Sequence, residues 1–184
     1  MGQKLAAYNE SGSIVAFYDT VDSPAPSTAT TIEITDEQWQ SCLATPGYTI
    51  LDGEIVAPLP PTSAQLLASA QAYQSAILTA ACASSIVAGF TSSSLGSEYT
   101  YPSKVTDQAN QVSIAASASG GLLWCATPGG TWALVQHTQE QAQAVQSSFS
   151  AWLNQCQQKL VTLNAQVAEA ATPVSVSAVV WTNT

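Results

Sequence analysis

One histidine, four cysteines and twelve carboxylates are the groups from which catalysis or metal binding would have to be built in this 184-residue chain. Any Ser–His or Cys–His dyad must use the single histidine, His137. The cysteine closest to it in sequence is Cys125. A turn over Thr127–Gly130 would seat Cys125 beside Trp132, five residues along the strand from His137. At roughly 3.3 Å per residue that is about 16 Å, beyond hydrogen-bond reach. A hydrogen bond at a strand-to-helix corner suits His137 better. Cys42, Cys82, Cys125 and Cys156 form no C-x-x-C pair, so neither a zinc knuckle nor a redox dithiol is spelled out. They read as reduced, buried, small apolar groups. Asp36-Glu37 is an adjacent acid pair, but the first turn of a helix favours negative charge there without any ligand. No D-x-D-x-D-G loop occurs, and Gly120-Gly121 and Gly129-Gly130 are turn signals rather than a phosphate cradle. A glycan hydrolase would need two carboxylates converging in a cleft, and no local pattern marks such a pair. The residues thus predict no enzyme, no cofactor and no metal.

Composition points the same way. Three lysines (Lys4, Lys104, Lys159) and no arginine stand against twelve acids, for a net charge of −9. Without arginine there is no bidentate clamp for phosphate or guanine, and three lysines make no basic stripe. Nucleic acid and anionic lipid are therefore not the expected partners. Charged residues are only 8% of the chain, against about a quarter in an ordinary soluble domain. A surface of Ser, Thr, Gln and Ala suits a protein packed in an assembly. The start, Met1 to Asn9, has no apolar segment of signal-peptide length, and Ala6 stands where myristoylation wants Ser or Thr. No apolar run approaches the roughly 18 residues of a membrane span. The expectation is a soluble, unprocessed chain without membrane insertion.

The elements that must position these groups follow from pattern and turn chemistry. Eight of the twelve acids lie in the first sixty residues, and that charge shift coincides with Pro58-Leu59-Pro60-Pro61, a stiff spacer. The spacing predicts an N-terminal β-rich domain over 1–57, a Pro-rich linker over 58–62 and an α+β domain over 63–184. In the first, Asn9–Gly12 turns one hairpin and Ser23–Thr31 is a polar loop. Thr35 with Gln38 forms a capping box for a short helix to about Leu43, and Asp52-Gly53 favours a type I′ hairpin. In the second, a helix runs from Thr62 or Ser63 to about Ser85, with Leu66, Ala70, Tyr73, Ile77 and Ala80 as its apolar stripe. A hairpin over 89–102 and a helix from Asp107 to about Ser117 come next. Leu122–Ala126 and Thr131–Gln136 pair across the Thr127–Gly130 turn, with both faces apolar. One face carries Leu122, Trp124 and Val135; the other carries Leu123, Trp132 and Leu134. Thr138 with Gln141 caps a second long helix striped by Val145, Phe149, Trp152, Cys156, Leu160, Leu163 and Val167. Pro173 opens a last short helix. The fold class is α+β: a small antiparallel β domain with one short helix, then two β-hairpins with three to four helices, two of them long.

Phe90, Tyr99, Tyr101, Trp124 and Trp132 cluster in the two hairpins. Core packing accounts for most of them, while one or two at an edge would anchor a protein partner or stack on a sugar ring. With His137 at the corner, these six are the candidate partner-contact residues.

Several motifs then stand in a familiar order. Ala88-Gly89-Phe90-Thr91-Ser92-Ser93-Ser94-Leu95-Gly96, Tyr99-Thr100-Tyr101-Pro102-Ser103, Asp107-Gln108-Ala109-Asn110, Trp124-Cys125-Ala126, Gly130-Thr131-Trp132 and His137-Thr138 together resemble an uncharacterised domain of tailed-phage tail-fibre proteins. The resemblance spans roughly residues 71 to 181, with Glu98 standing near where a histidine would be expected. The N-terminal part, with Ile32–Trp39, the Asp52-Gly53 hairpin and the proline-rich exit, more loosely resembles phage tail-fibre assembly proteins. That resemblance implies a chaperone for a trimeric fibre tip, acting in the host cytoplasm and in some cases remaining in the virion. The competing expectation is a permanent structural or receptor-binding part of the tail fibre or baseplate, whose aromatics would meet host surface glycan.

Overall fold

The computed structural model describes residues 2–182. The chain divides after Pro61 into two compact units, Met1–Pro61 and Thr62–Thr184. In the first, β1 (Lys4–Tyr8), β2 (Ile14–Asp19) and β3 (Thr31–Ile34) form an antiparallel sheet in the order β2-β1-β3. The third strand begins where the polar loop was expected to end, and its Ile32-Glu33-Ile34 alternation buries Ile34, opposite Lys4, and sets Ile32 opposite Ala6. The helix α1 (Asp36–Ala44) starts on the Thr35–Gln38 capping box. The hairpin of β4 (Thr49–Leu51) and β5 (Glu54–Val56) turns on Asp52 (φ 53°) and Gly53 (φ 81°), as a type I′ turn requires. Ile50 N–H donates to the Gly12 carbonyl at 2.7 Å and ties this hairpin to the sheet's first turn. Lys4 Nζ meets Asp19 Oδ2 at 2.7 Å and lies 4.9 Å from the Trp39 ring centre. Asp19 also accepts from the Val21 and Asp22 amides. The lysine first, then those two amides, hold its carboxyl at about 2, below the ordinary carboxylate value.

The second unit places two long helices, α2 (Ser63–Val87) and α4 (Gln139–Glu169), beside a four-stranded antiparallel sheet. Its strands β6 (Phe90–Ser92), β7 (Tyr99–Tyr101), β8 (Gly121–Ala126) and β9 (Trp132–His137) follow one another in space. The two expected hairpins thus join through the pairing of Thr100 with Ala126. The helix α3 (Val105–Ala116) leads into β8, and α5 (Pro173–Ser177) packs on α2. Thr62, Thr138 and Thr172 each cap a helix with a reciprocal side-chain bond. One core gathers Phe90, Tyr101, Leu123, Cys125, Ala142 and Val145; a second gathers Leu78, Val167 and Val176. The α4 stripe faces inward along its whole length, with none of its seven residues exposed.

Two expectations are corrected. The α2 stripe is not the buried one: Leu66, Tyr73 and Ile77 are 51%, 71% and 42% exposed, while Gln74, Leu78 and Cys82 are buried. The reason lies in two glutamines that hydropathy assigns to the outside. Gln71 Nε2 donates to the carbonyls of Val167, Ala168 and Ala170 at 3.2–3.4 Å, satisfying acceptors that the end of α4 leaves without helical partners. Gln74 Nε2 donates to the Val179 carbonyl at 2.7 Å. These bonds turn the glutamine face inward and the Leu66–Tyr73–Ile77 face out.

The β8–β9 register also differs by one residue. Cys125 pairs with Ala133, Trp124 with Leu134 and Ala126 with Trp132. The loop is a turn over Thr127–Gly130, closed by Gly130 N–H to the Thr127 carbonyl at 2.8 Å, followed by Gly130 at φ 80°. Thr127 N–H then pairs with the Thr131 carbonyl at 3.0 Å. This is the three-residue hairpin loop, whose left-handed residue adds one position over a two-residue loop and suits glycine. Because side chains alternate, the slip moves every β9 residue to the opposite face from the one expected.

Candidate functional site

The corrected register sorts the hairpin into a buried face and an outer one. Inward point Leu123 and Cys125, at 2% and 1% exposure, together with His137 at 0%. Outward stand Leu122, Trp124, Trp132 and Leu134, at 53%, 46%, 43% and 56% exposure. Trp124 and Trp132 sit diagonally across the strands, their rings 6.4 Å apart and inclined by 17°. Beside them a groove of about 370 Å³ runs between the hairpin and α3. Its far wall is Pro102, Asp107, Asn110, Gln111 and Ile114. At the start of β8, Gly121 lets the strand approach α3 closely: a Cβ there would stand 2.6 Å from Ile114 Cδ1. The Tyr101–Gln111 corner is held by side chains bonding backbone. Ser103 Oγ donates to the Ile86 carbonyl at 2.6 Å and accepts from Gly89 N–H at 3.0 Å. Gln108 and Gln111 donate to the Ser103 and Pro102 carbonyls at 2.7 and 2.9 Å.

The six candidate contact residues therefore separate. Trp124 and Trp132 are on the outer face and Tyr99 is half-buried. Phe90, Tyr101 and His137, at 4%, 0% and 0% exposure, are interior, and as partner contacts they are corrected. Phe90 packs its ring on Tyr101 at 5.7 Å and on Phe149 at 5.3 Å. His137 takes part in a buried chain of hydrogen bonds. Its Nδ1 lies 2.8 Å from the Val135 carbonyl, which only accepts, so Nδ1 carries the proton. Nε2 is then the acceptor for the Tyr101 hydroxyl at 2.9 Å, and Tyr101 accepts in turn from Ser94 Oγ at 3.0 Å. The lone pair that a general base would offer is already occupied. Sequence reasoning placed His137 at the corner but missed this use of it, because its partners Tyr101 and Ser94 lie on the other hairpin.

Burial pushes the thiols of Cys42, Cys82, Cys125 and Cys156 above the ordinary cysteine range, which keeps them protonated and weakly nucleophilic. Burial likewise pushes the Tyr101 hydroxyl up to about 12. Its folded form thus keeps a proton that the unfolded chain gives up near pH 10. The stability this contributes is complete below pH 10 and is lost as pH rises towards about 12. Ultraviolet titration of the folded protein is expected to show a tyrosinate component near pH 12 that Tyr101→Phe removes. Persistence of that component in the variant would assign it elsewhere. Among the described residues no three His, Cys, Asp or Glu side chains gather as a metal would need, and no helix is long and apolar enough to cross a membrane.

The second unit thus presents a paired-indole apolar sheet face beside a groove of mixed polarity. A family model described as "Domain of unknown function (DUF4376)" matches residues 69–180, more than half of the chain, and the protein belongs to that family. No curated protein and no solved structure matches it.

Proposed function

We propose that this chain is a phage tail-fibre assembly protein that binds the trimeric fibre tip by shape and performs no chemistry of its own. The observation that carries the reading is the outer face of the β8–β9 hairpin. Two stacked tryptophans flanked by two half-exposed leucines, on a rigid backbone, have the composition of an interface centre. A folding fibre tip exposes strand edges and apolar patches that aggregate unless they are covered. This face offers a complementary cover, and the few charges of the second unit would impose little electrostatic penalty on contact. The site of action is the host cytoplasm during assembly, with retention in the virion where the complex is tight. Co-expression with a phage tail-fibre protein tests the reading. Soluble trimeric fibre is expected to increase several-fold with this chain present. Equal yield in its absence would contradict it.

A second reading rests on the groove. The Trp124 ring beside Asp107 and Asn110 is the pairing of flat apolar surface with polar groups that a sugar ring uses. As a permanent receptor-binding part of the tail, the chain would be present in purified particles. Mass spectrometry of those particles separates the two functions when the chain is absent from them.

A further inference from the structure

A second cleft in the Thr62–Thr184 unit lies apart from the hairpin groove, between the C-terminal part of α2 and the middle of α4. Its volume is about 540 Å³. Ala81, Ser84, Ser85 and Ala88 form one wall, and their small side chains on one side of α2 and its cap leave the space open. The facing wall is α4, with Trp152, Cys156 and Lys159 on one helical face. Trp181, beyond α5, completes the lining. Trp152 packs against the Phe90–Tyr101 core and Trp181 against the Leu78–Val167 core. Each indole is thus anchored in a core while it borders the cleft.

The lining selects a class of ligand. Most of the accessible wall is apolar. Trp152 Nε1 already donates to the Ser85 carbonyl at 3.3 Å, so this indole offers the cleft ring surface rather than a hydrogen bond. Lys159 is the one charged residue of the lining. Its Nζ donates to the Thr182 carbonyl and lies 5.1 Å from the Trp181 ring centre. Those contacts hold the ammonium beside the cleft, but neither neutralises it. An ammonium has three N–H donors, and the Thr182 carbonyl takes one. The only ion pair among the described residues joins Lys4 to Asp19, so Lys159 has no acidic partner there. We propose that this cleft binds a small aromatic anion, a flat apolar body carrying one carboxylate or sulfonate. The body lies against indole surface and the anionic group meets Lys159 Nζ. The volume falls in the range of about 300–1,000 Å³ common to small-molecule sites. A sugar would set its hydroxyls against apolar wall without partners, and a cationic ligand would meet Lys159.

The test uses the purified full-length chain alone, so it is independent of the fibre reading. The probes are anilinonaphthalene sulfonate and its neutral parent anilinonaphthalene, the same aromatic body without the charge. Fluorescence titration of the wild type is expected to show one saturable site per chain, with the sulfonate bound roughly ten-fold more tightly than the parent. In the same complex the indole N–H resonances of Trp152 and Trp181 are expected to shift while those of Trp124 and Trp132 hold. These wild-type measurements need no variant. Lys159→Gln keeps a donor for the Thr182 carbonyl but no charge, and is expected to bind the two probes equally. Ser84→Trp, at an exposed position of the wall, fills the cleft and is expected to abolish binding of both with circular dichroism unchanged. Absence of a saturable site in the wild type, equal affinity of the wild type for the two probes, or shifts confined to Trp124 and Trp132 would each overturn the proposal. So would an undiminished preference in Lys159→Gln or undiminished binding by Ser84→Trp.

Discussion

Replacing Trp124 and Trp132 together by alanine is expected to weaken binding to a trimeric fibre tip by a hundred-fold or more. Interface residues of this kind, central and aromatic, commonly contribute about 2–4 kcal/mol each on truncation, and each 1.4 kcal/mol is roughly ten-fold in affinity. The two rings stack on one another, so the double variant should lose less than the sum of the single ones. The effect on folding is expected to be small by comparison. Both side chains are more than 40% exposed, and the buried face beneath them, Leu123 and Cys125, is untouched. Calorimetric titration of the fibre tip with wild type and variant checks the affinity, and a thermal melt of each checks the fold. Equal affinity in the two proteins would move the interface elsewhere on the surface.

Gly120→Ala is expected to be the most destabilising small substitution in the second unit. Gly120 has φ 66°, and a Cβ there would lie 2.0 Å from the His137 carbonyl oxygen and 2.9 Å from Thr138 backbone atoms. Those atoms are backbone at the corner where β9 becomes α4, so no flexible side chain can yield. Relief must come from parting β8 and β9 at their shared end. That displaces the His137 ring from Tyr101 and disturbs the Thr138–Gln141 capping box. A loss of about 3–5 kcal/mol follows from combined strain and clash. Gly130→Ala is the control. Its φ is 80°, but a Cβ there meets nothing within 4 Å, so only the cost of left-handed backbone remains, about 1–2 kcal/mol. Thermal unfolding should lower the midpoint of Gly120→Ala by on the order of 10 °C, well beyond that of Gly130→Ala. Similar midpoints for the two would refute the close-approach argument.

Much of the architecture was legible because local chemistry and global packing agree. Thr35, Thr62, Thr138 and Thr172 each mark a helix start through their own side-chain bonds, and the stripe from Val145 to Val167 faces inward as its period requires. Asp52-Gly53 sets its hairpin register because the type I′ turn has a fixed length. The Thr127–Gly130 turn does not. Whether Thr131 closes the loop or begins the strand depends on Gly130 taking a left-handed conformation, and one residue there inverts the face of Trp132 and Leu134. The outward stripe of α2 was unreadable for a different reason. Gln71, half-buried, and Gln74, buried, turn inward because they bond carbonyls about a hundred positions away, at the end of α4 and beyond it, and no window along α2 contains that information. The same holds for His137, whose acceptor nitrogen is claimed by a tyrosine on another hairpin. Aromatic clustering marks the two hairpins, while only the sheet register separates the two outer tryptophans from the interior Phe90 and Tyr101.

The most direct test watches the five indole N–H resonances of the full-length chain while trimeric fibre tip is added. The account predicts that the signals of Trp124 and Trp132 shift or broaden at stoichiometric tip. Trp152, whose Nε1 donates to the Ser85 carbonyl at 3.3 Å, should hold its position. Movement confined to the other indoles, or none at all with tip in excess, would contradict the claim that this sheet face is what the protein offers its partner.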